Sequence, residues 1–123
     1  LADHDQRETC LIYFIEKNGK SLLYGHDSGW FPSETWEWLY RQTFDVAILD
    51  CTHGPLPGRR NHLNIEAVLE MNEIFHQKGL LREKGQVIAT HFSHNGGLLH
   101  DELLNVFTPH GIIVAYDGMV YHA

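Results

Sequence analysis

The 123-residue chain is poor in cysteine and proline and in basic residues relative to acidic ones, and it contains no long apolar run. Its two cysteines, Cys10 and Cys51, each lie in an apolar, strand-like run, where a small buried thiol is expected in preference to a disulfide. No run approaches the roughly 20 apolar residues of a membrane span. No charged-then-apolar leader opens the chain either, so the expected location is cytoplasmic. Nine Lys plus Arg stand against sixteen Asp plus Glu, a formal charge of -7, which argues against a broad phosphate-neutralising surface and against nucleic acid as a partner. The basic cluster Arg59-Arg60 suits a single phosphate group instead, because an arginine fork meets phosphate oxygens in a two-pronged way; a solvated loop is the plainer reading of the same pair.

What is present has the size and balance of a single domain over residues 1–123, with 43% hydrophobic and 20% charged residues. Leu1 stands where an initiator methionine would, and Leu1 to Thr9 carry no periodic pattern, which reads as a portion of a longer polypeptide. Cys10–Ile15 and Ser21–Tyr24 flank Lys17-Asn18-Gly19-Lys20, the signature of a tight primed hairpin. Ser33 is the expected N-cap of a helix over 34–42 that carries Trp36, Leu39 and Tyr40 on one face. Val46–Leu49 reads as a buried strand. Asn61 is placed to cap a helix over 62–78, in which Ile65, Val68, Leu69, Asn72 and Phe75 recur at helical spacing and Gly79 supplies a left-handed stop. Val87–Ala89 reads as the next buried strand, halted at His91, followed by a helix near Leu98–Phe107 and a strand over Ile112–Tyr116. Asp117-Gly118 then turns into a short edge strand, Met119–His122. Strands alternating with helices give an α/β class, with the helices on one face of the sheet.

Chemistry concentrates at strand ends. Ligands of open α/β sheets collect beyond the carboxyl ends of the strands, where Asp27, Asp50 with His53, and His91 with His94 are all expected. A carboxylate beside imidazoles suits zinc, manganese or iron. Asp50 either orients such a ligand or caps the following turn. His62, on the first turn of its expected helix, faces a macrodipole that disfavours imidazolium, leaving a neutral ring able to accept or relay a proton; an ordinary exposed histidine is an equal reading. Ten histidines in one chain also put some at strand ends by chance.

Tyr24-Gly25-His26-Asp27-Ser28-Gly29, Ile48-Leu49-Asp50-Cys51-Thr52-His53, Asn61-His62-Leu63-Asn64, Thr90-His91-Phe92-Ser93-His94 and Ala115-Tyr116-Asp117-Gly118-Met119 resemble, in that order, the C-terminal half of the metallo-β-lactamase superfamily. The likeness is to the phosphodiesterase branch that holds phosphoribosyl cyclic phosphodiesterase and ribonuclease Z. It implies one half of an αββα sandwich, a mixed sheet with helices on one face, whose N-terminal half with the HxHxDH motif lies outside residues 1–123. By the same resemblance, Asp27 matches the aspartate that bridges two metal ions and His91 the last metal-binding histidine, the two meeting across neighbouring strand tips. His62 looks like the histidine that assists the substrate phosphate or leaving group. Asp50 and Asp117 resemble positions near the site with a structural role, and His94 is a further contact to a ligand or substrate. Leu1 to Thr9, His4 and Asp5 included, match none of the remaining ligand motifs.

The function so implied is a metal-dependent hydrolase with two divalent ions, zinc or manganese, acting on a small or cyclic phosphodiester. This chain would carry an incomplete site, inactive alone, and the missing half would be its partner. Two other readings stand beside it. One is a non-catalytic half-domain that forms a homodimer through its exposed sheet, with Trp36, Trp38 and Tyr40 as contacts. The other is a thioester or acyl hydrolase of the same fold.

Overall fold

A computed structural model describes residues 1–123. Asn18 and Gly19 both adopt left-handed backbone, φ 52° and 75°, and this primed turn folds β1 (Tyr13–Lys17) antiparallel onto β2 (Lys20–Gly25). Three parallel strands continue the sheet: β3 (Phe44–Asp50), β4 (Leu81–Thr90) and β5 (Ile112–Val114), in the spatial order β1-β2-β3-β4-β5. Each parallel step needs a crossover, and the helices α1 (Ser33–Leu39), α2 (Ile65–Gln77) and α3 (His100–Phe107) provide them. The architecture is a mixed five-stranded α/β sheet with three helices. No helix is long and apolar enough to cross a membrane.

All three helices pack on one face of the sheet. Trp36 and Leu39 of α1, Val68, Met71 and Phe75 of α2, and Leu103 and Phe107 of α3 form one core with Leu23, Ala47, Leu49, Val87, Ala89, Ile112 and Val114. The alternate strand positions face the other way. Ile15, Leu22, Tyr24, Val46, Ile48 and Ile88 line a cavity of about 600 Å³ bordered by the C-terminal segment from Ala115 to Ala123. Trp36 is buried in the helical core, Trp38 stands edge-on to Phe14 and Tyr40 stacks on Trp36. These aromatics belong to the helix side, so they do not border the apolar sheet face for which a dimer contact is expected.

Several element boundaries differ from the expected ones for local reasons. The first strand starts at Tyr13, and Cys10 lies half-buried against Asp5 instead of in the core. Pro32, not Ser33, precedes α1, and its carbonyl accepts the first helical N–H groups, those of Thr35 and Trp36, at 2.9 and 3.1 Å. Asn64, not Asn61, caps α2, accepting from the Ala67 amide at 2.9 Å, because Asn61 is held at φ 65° outside the helix. His62 is therefore in the preceding loop, and the macrodipole argument does not apply to it. Gly79 ends α2 with φ 66°, as the left-handed stop requires. The Leu98 start of α3 moves to His100, where the Glu102 carboxylate accepts from the Leu99 amide at 2.7 Å. β4 starts at Leu81, well before Val87, and its charged first half is tied down where Arg82 donates to the Gly19 carbonyl at 3.0 Å. Met119–His122 is not a strand: Ala115 still bonds to Ala89, but the turn closed by Met119 N–H on the Tyr116 carbonyl takes the chain away from the sheet edge.

Cys51 is fully buried, and burial, with the neighbouring Asp50 carboxylate adding to it, pushes its thiol up to about 12. At pH 7.5 a thiol-specific chromogenic disulfide is expected to label Cys10 rapidly and Cys51 only after denaturant is added. Mass spectrometry of the labelled peptides checks the assignment.

Candidate metal centre

Because β2, β3 and β4 run parallel, their carboxyl ends deliver side chains to one rim of the sheet. Asp27 follows β2, Asp50 ends β3 and His91 follows β4 directly. Asp27 and His91 thus stand on strands separated by β3 rather than on neighbouring tips. Both take left-handed backbone, φ 55° and 59°, a conformation that costs a non-glycine residue about 1 kcal/mol and that clusters at functional sites. Asn61, immediately before His62, is the third such residue here, at φ 65°.

Asp50 organises the rim. Its carboxylate has no solvent exposure. Oδ2 accepts Nδ1–H of His62 at 2.8 Å and of His91 at 2.9 Å, while Oδ1 accepts the amides of Thr52 at 2.9 Å and Leu63 at 3.3 Å. Burial alone would raise the Asp50 pKa, but the hydrogen bonds from His91, the Thr52 amide and His62 outweigh it and hold the carboxyl below its ordinary range. The acceptors also fix the ring tautomers. With Nδ1 protonated toward Asp50, His62 and His91 each keep a lone pair on Nε2, the arrangement in which a carboxylate orients a metal-binding imidazole.

Asp27, half-exposed, brings Oδ1 to 3.5 Å from His91 Nδ1 and 3.7 Å from His62 Nδ1. Ligand-type atoms of Asp27, Asp50, His62 and His91 all lie within 4.8 Å of one another. Four donors already occupy the lone-pair directions of Asp50, so that residue holds the ligands in place instead of binding an ion itself. The Asp27 carboxylate and the His91 imidazole are an oxygen and nitrogen donor pair of the kind that could hold zinc or manganese, with His62 beside them.

Other imidazoles surround this group. His4 arrives because Asp3 is pinned at three points: its carbonyl accepts from Gly29 at 2.7 Å, its amide donates to Ser28 Oγ at 3.1 Å, and its carboxylate accepts the Asn61 amide at 3.3 Å. His4 Nδ1–H donates to the Asn61 carbonyl at 3.0 Å, and its ring meets His62 edge-on with centroids 4.9 Å apart. No pattern in Leu1–Thr9 signals this; Asp3 and Ser28 are distant in sequence and meet only in the fold. His26 stacks on Tyr24 at 5.5 Å and meets the tilted ring of His91 at 4.3 Å. Burial, reinforced by His91, lowers its pKa.

The remaining expected positions divide. Arg59 is engaged elsewhere, pairing with Glu70 at 2.8 Å and lying over the Trp30 ring at 4.5 Å. Arg60 lines a polar cavity beside His62. His94 is exposed in the short turn His94–Gly96 and Asp117 is exposed in the turn after β5, and neither contacts the Asp50 group. The chain matches no protein-family model and no curated protein.

Replacing Asp50 with alanine leaves four buried or half-buried N–H donors without their acceptor. The expected loss of unfolding free energy is about 3 kcal/mol, read by urea denaturation. The sign of the pH effect follows from the lowered native pKa. Asp50 contributes its full stabilisation above the unfolded carboxylate value of about 3.9, and loses it as pH falls through the lower native value. Between about pH 4 and pH 2 the parent chain is expected to lose stability more steeply than Asp50→Asn.

Proposed function

We propose that this chain forms the C-terminal half of a metallo-β-lactamase-like αββα sandwich and contributes part of the metal centre of a phosphodiesterase. The observation that carries the reading is the approach of Asp27 Oδ1 to the His91 ring, 3.5 Å from Nδ1, from separate strand tips and on strained backbone, with the ring held by a buried carboxylate. Backbone of that kind clusters at functional sites. The Asp27 carboxylate and the His91 imidazole would hold a divalent ion. When bound, such ions polarise a phosphate oxygen and lower the pKa of a water.

His62 is suited to proton transfer. Asp50 accepts from Nδ1 and so orients the ring, leaving Nε2 to take a proton and return it to a departing oxygen. The apolar second sheet face fits the two-half reading. Ile15, Leu22, Tyr24, Val46, Ile48 and Ile88 form a surface that a second sheet would cover, and covering it gains about 25 cal/mol per Å² of apolar area. The N-terminal half of the same polypeptide is the proposed occupant, carrying the remaining ligands.

Zinc and manganese titrations of the wild-type chain are expected to show saturable binding that Asp27→Ala and His91→Ala each weaken by at least about tenfold. His62→Ala should retain the metal and lower turnover of a chromogenic phosphodiester by the complete polypeptide, about a hundredfold for loss of a general acid. Unchanged metal affinity in both ligand variants would overturn the reading. Turnover of a thioester but not of the phosphodiester would move the substrate class to acyl hydrolysis.

A further inference from the structure

Two short segments meet at the rim. Asp27-Ser28-Gly29-Trp30 leaves β2, and Arg59-Arg60-Asn61-His62 belongs to the loop before α2, so that Trp30 stands three residues from Asp27 and Arg59 three residues from His62. They lie against each other. The Trp30 amide donates to the Arg59 carbonyl at 2.7 Å, and residue 29 must be glycine, because a Cβ there would collide with that carbonyl and stand 2.6 Å from the Asn61 nitrogen. At the far ends of the two segments, Asp27 Oδ1 and His62 Nδ1 are 3.7 Å apart.

The two segments are anchored differently. The one from β2 is tied to Asp3 through Ser28 and Gly29, and its Trp30 ring packs against the core beside Trp36, with centroids 5.4 Å apart. The loop has much less. Gly54, Pro55, Pro57 and Gly58 deprive it of regular structure, and no backbone N–H of Gly58, Arg59 or Arg60 donates a hydrogen bond. The Asn61 amide reaches Asp3 Oδ2 at 3.3 Å on the exposed surface. From Pro57 to Arg60 the side chain that makes an ion pair is Arg59: its guanidinium lies 4.5 Å over the Trp30 ring and meets Glu70 of α2 at 2.8 Å. A planar cation held between an aromatic face and a carboxylate is fixed in position and in rotation. The Arg59 and Glu70 side chains are 35% and 45% exposed, where an ion pair adds little to global stability. The effect of the bracket is local.

We infer that Arg59 is a positioning residue: by bracketing the loop between Trp30 and Glu70 it sets the place of His62 relative to Asp27 and to the buried Asp50 carboxylate. The inference rests on the phosphodiesterase reading for the use to which His62 is put. Asp50 supplies an internal comparison, since the same oxygen holds His62 and His91, while His91 follows β4 and owes its place to a different part of the chain.

Two measurements test this. In the first, the metal-free chain is labelled with ¹⁵N and followed by NMR through the ring N–H protons of the two histidines. Arg59→Ala is expected to speed solvent exchange of His62 Nδ1–H about tenfold and to change that of His91 Nδ1–H less than about twofold. Glu70→Gln keeps the stack on Trp30 and is expected to speed exchange at His62 about threefold. Lys78→Ala removes an exposed positive charge from the end of α2 and should change neither ring more than about twofold. Equal changes at the two rings in Arg59→Ala, which would report general destabilisation, overturn the inference. An unchanged His62 in that variant does so too, as does a rise of the same size in Lys78→Ala. In the second measurement, the complete enzyme carrying Arg59→Ala should lose about fivefold in kcat on the chromogenic phosphodiester, with KM and zinc affinity changed less than about twofold; a raised KM with kcat unchanged overturns the positioning role. The exchange measurement involves neither metal nor turnover, so its failure removes the role of Arg59 alone, whereas failure of Asp27 and His91 to bind metal removes the phosphodiesterase reading and leaves the placement of His62 by Arg59 standing.

Discussion

A carboxylate removed from water at the end of a central strand is unfavourable unless its oxygens are fully occupied, and the local structure around Asp50 follows from that requirement. Two backbone amides meet one oxygen and two imidazoles meet the other. The amide of Leu63 is among them, so the loop before α2 must pass close to the tip of β3, and that passage places His62 on the rim. The same oxygen that orients His62 orients His91. A single buried charge thereby fixes the tautomer of two rings that come from opposite sides of β3, and their relative position becomes a property of the core rather than of exposed loops.

Strand order supplies the rest. With β3 between β2 and β4, Asp27 and His91 would sit about two strand spacings apart, close to 10 Å, if each side chain continued straight from its strand. They meet at 3.5 Å because both residues turn into the left-handed region as the chain leaves the sheet. Gly25 assists from below: a Cβ there would stand 2.7 Å from the Phe31 ring and 3.2 Å from the Ile48 carbonyl, so the turn toward Asp27 can lie against the core only without a side chain. Convergence of the pair thus depends on two strained residues and one obligatory glycine, each of them a local feature with a long-range result.

The sequence displayed these levels unequally. Buried strands such as Val46–Leu49 and Val87–Ala89 were legible because a parallel strand covered on both faces must be a continuous apolar run. The hairpin was legible in Asn18-Gly19 because few residue pairs tolerate two consecutive positive φ angles. The α2 start was misplaced by three residues, since Asn61 and Asn64 are equally good caps in isolation and only Asp3, contacting the Asn61 amide, distinguishes them. Strand-end residues Asp27, Asp50 and His91 were visible as candidates from position alone, whereas His94 and Asp117 share their motifs and yet point elsewhere. His4 was invisible for the opposite reason: it owes its place to hydrogen bonds spanning more than twenty positions of sequence, which no local pattern encodes.

The two empty spaces beside the rim differ in chemistry, and the difference constrains how the molecule can be used. Beneath His26 the sheet offers mainly aliphatic side chains and tyrosine rings, with Lys17 and Lys20 of the hairpin also in the lining, and so apolar a surface tends to be covered by protein. Beyond His62 the wall is wholly polar and contains an arginine without a partner, which water can occupy at no cost and an anion can displace. Asp50 and its two histidines lie between these spaces. A second layer packed on the apolar face would therefore cover the sheet beneath the rim while leaving His62 and Arg60 open, so a ligand of the Asp50 group would have to approach from the polar side.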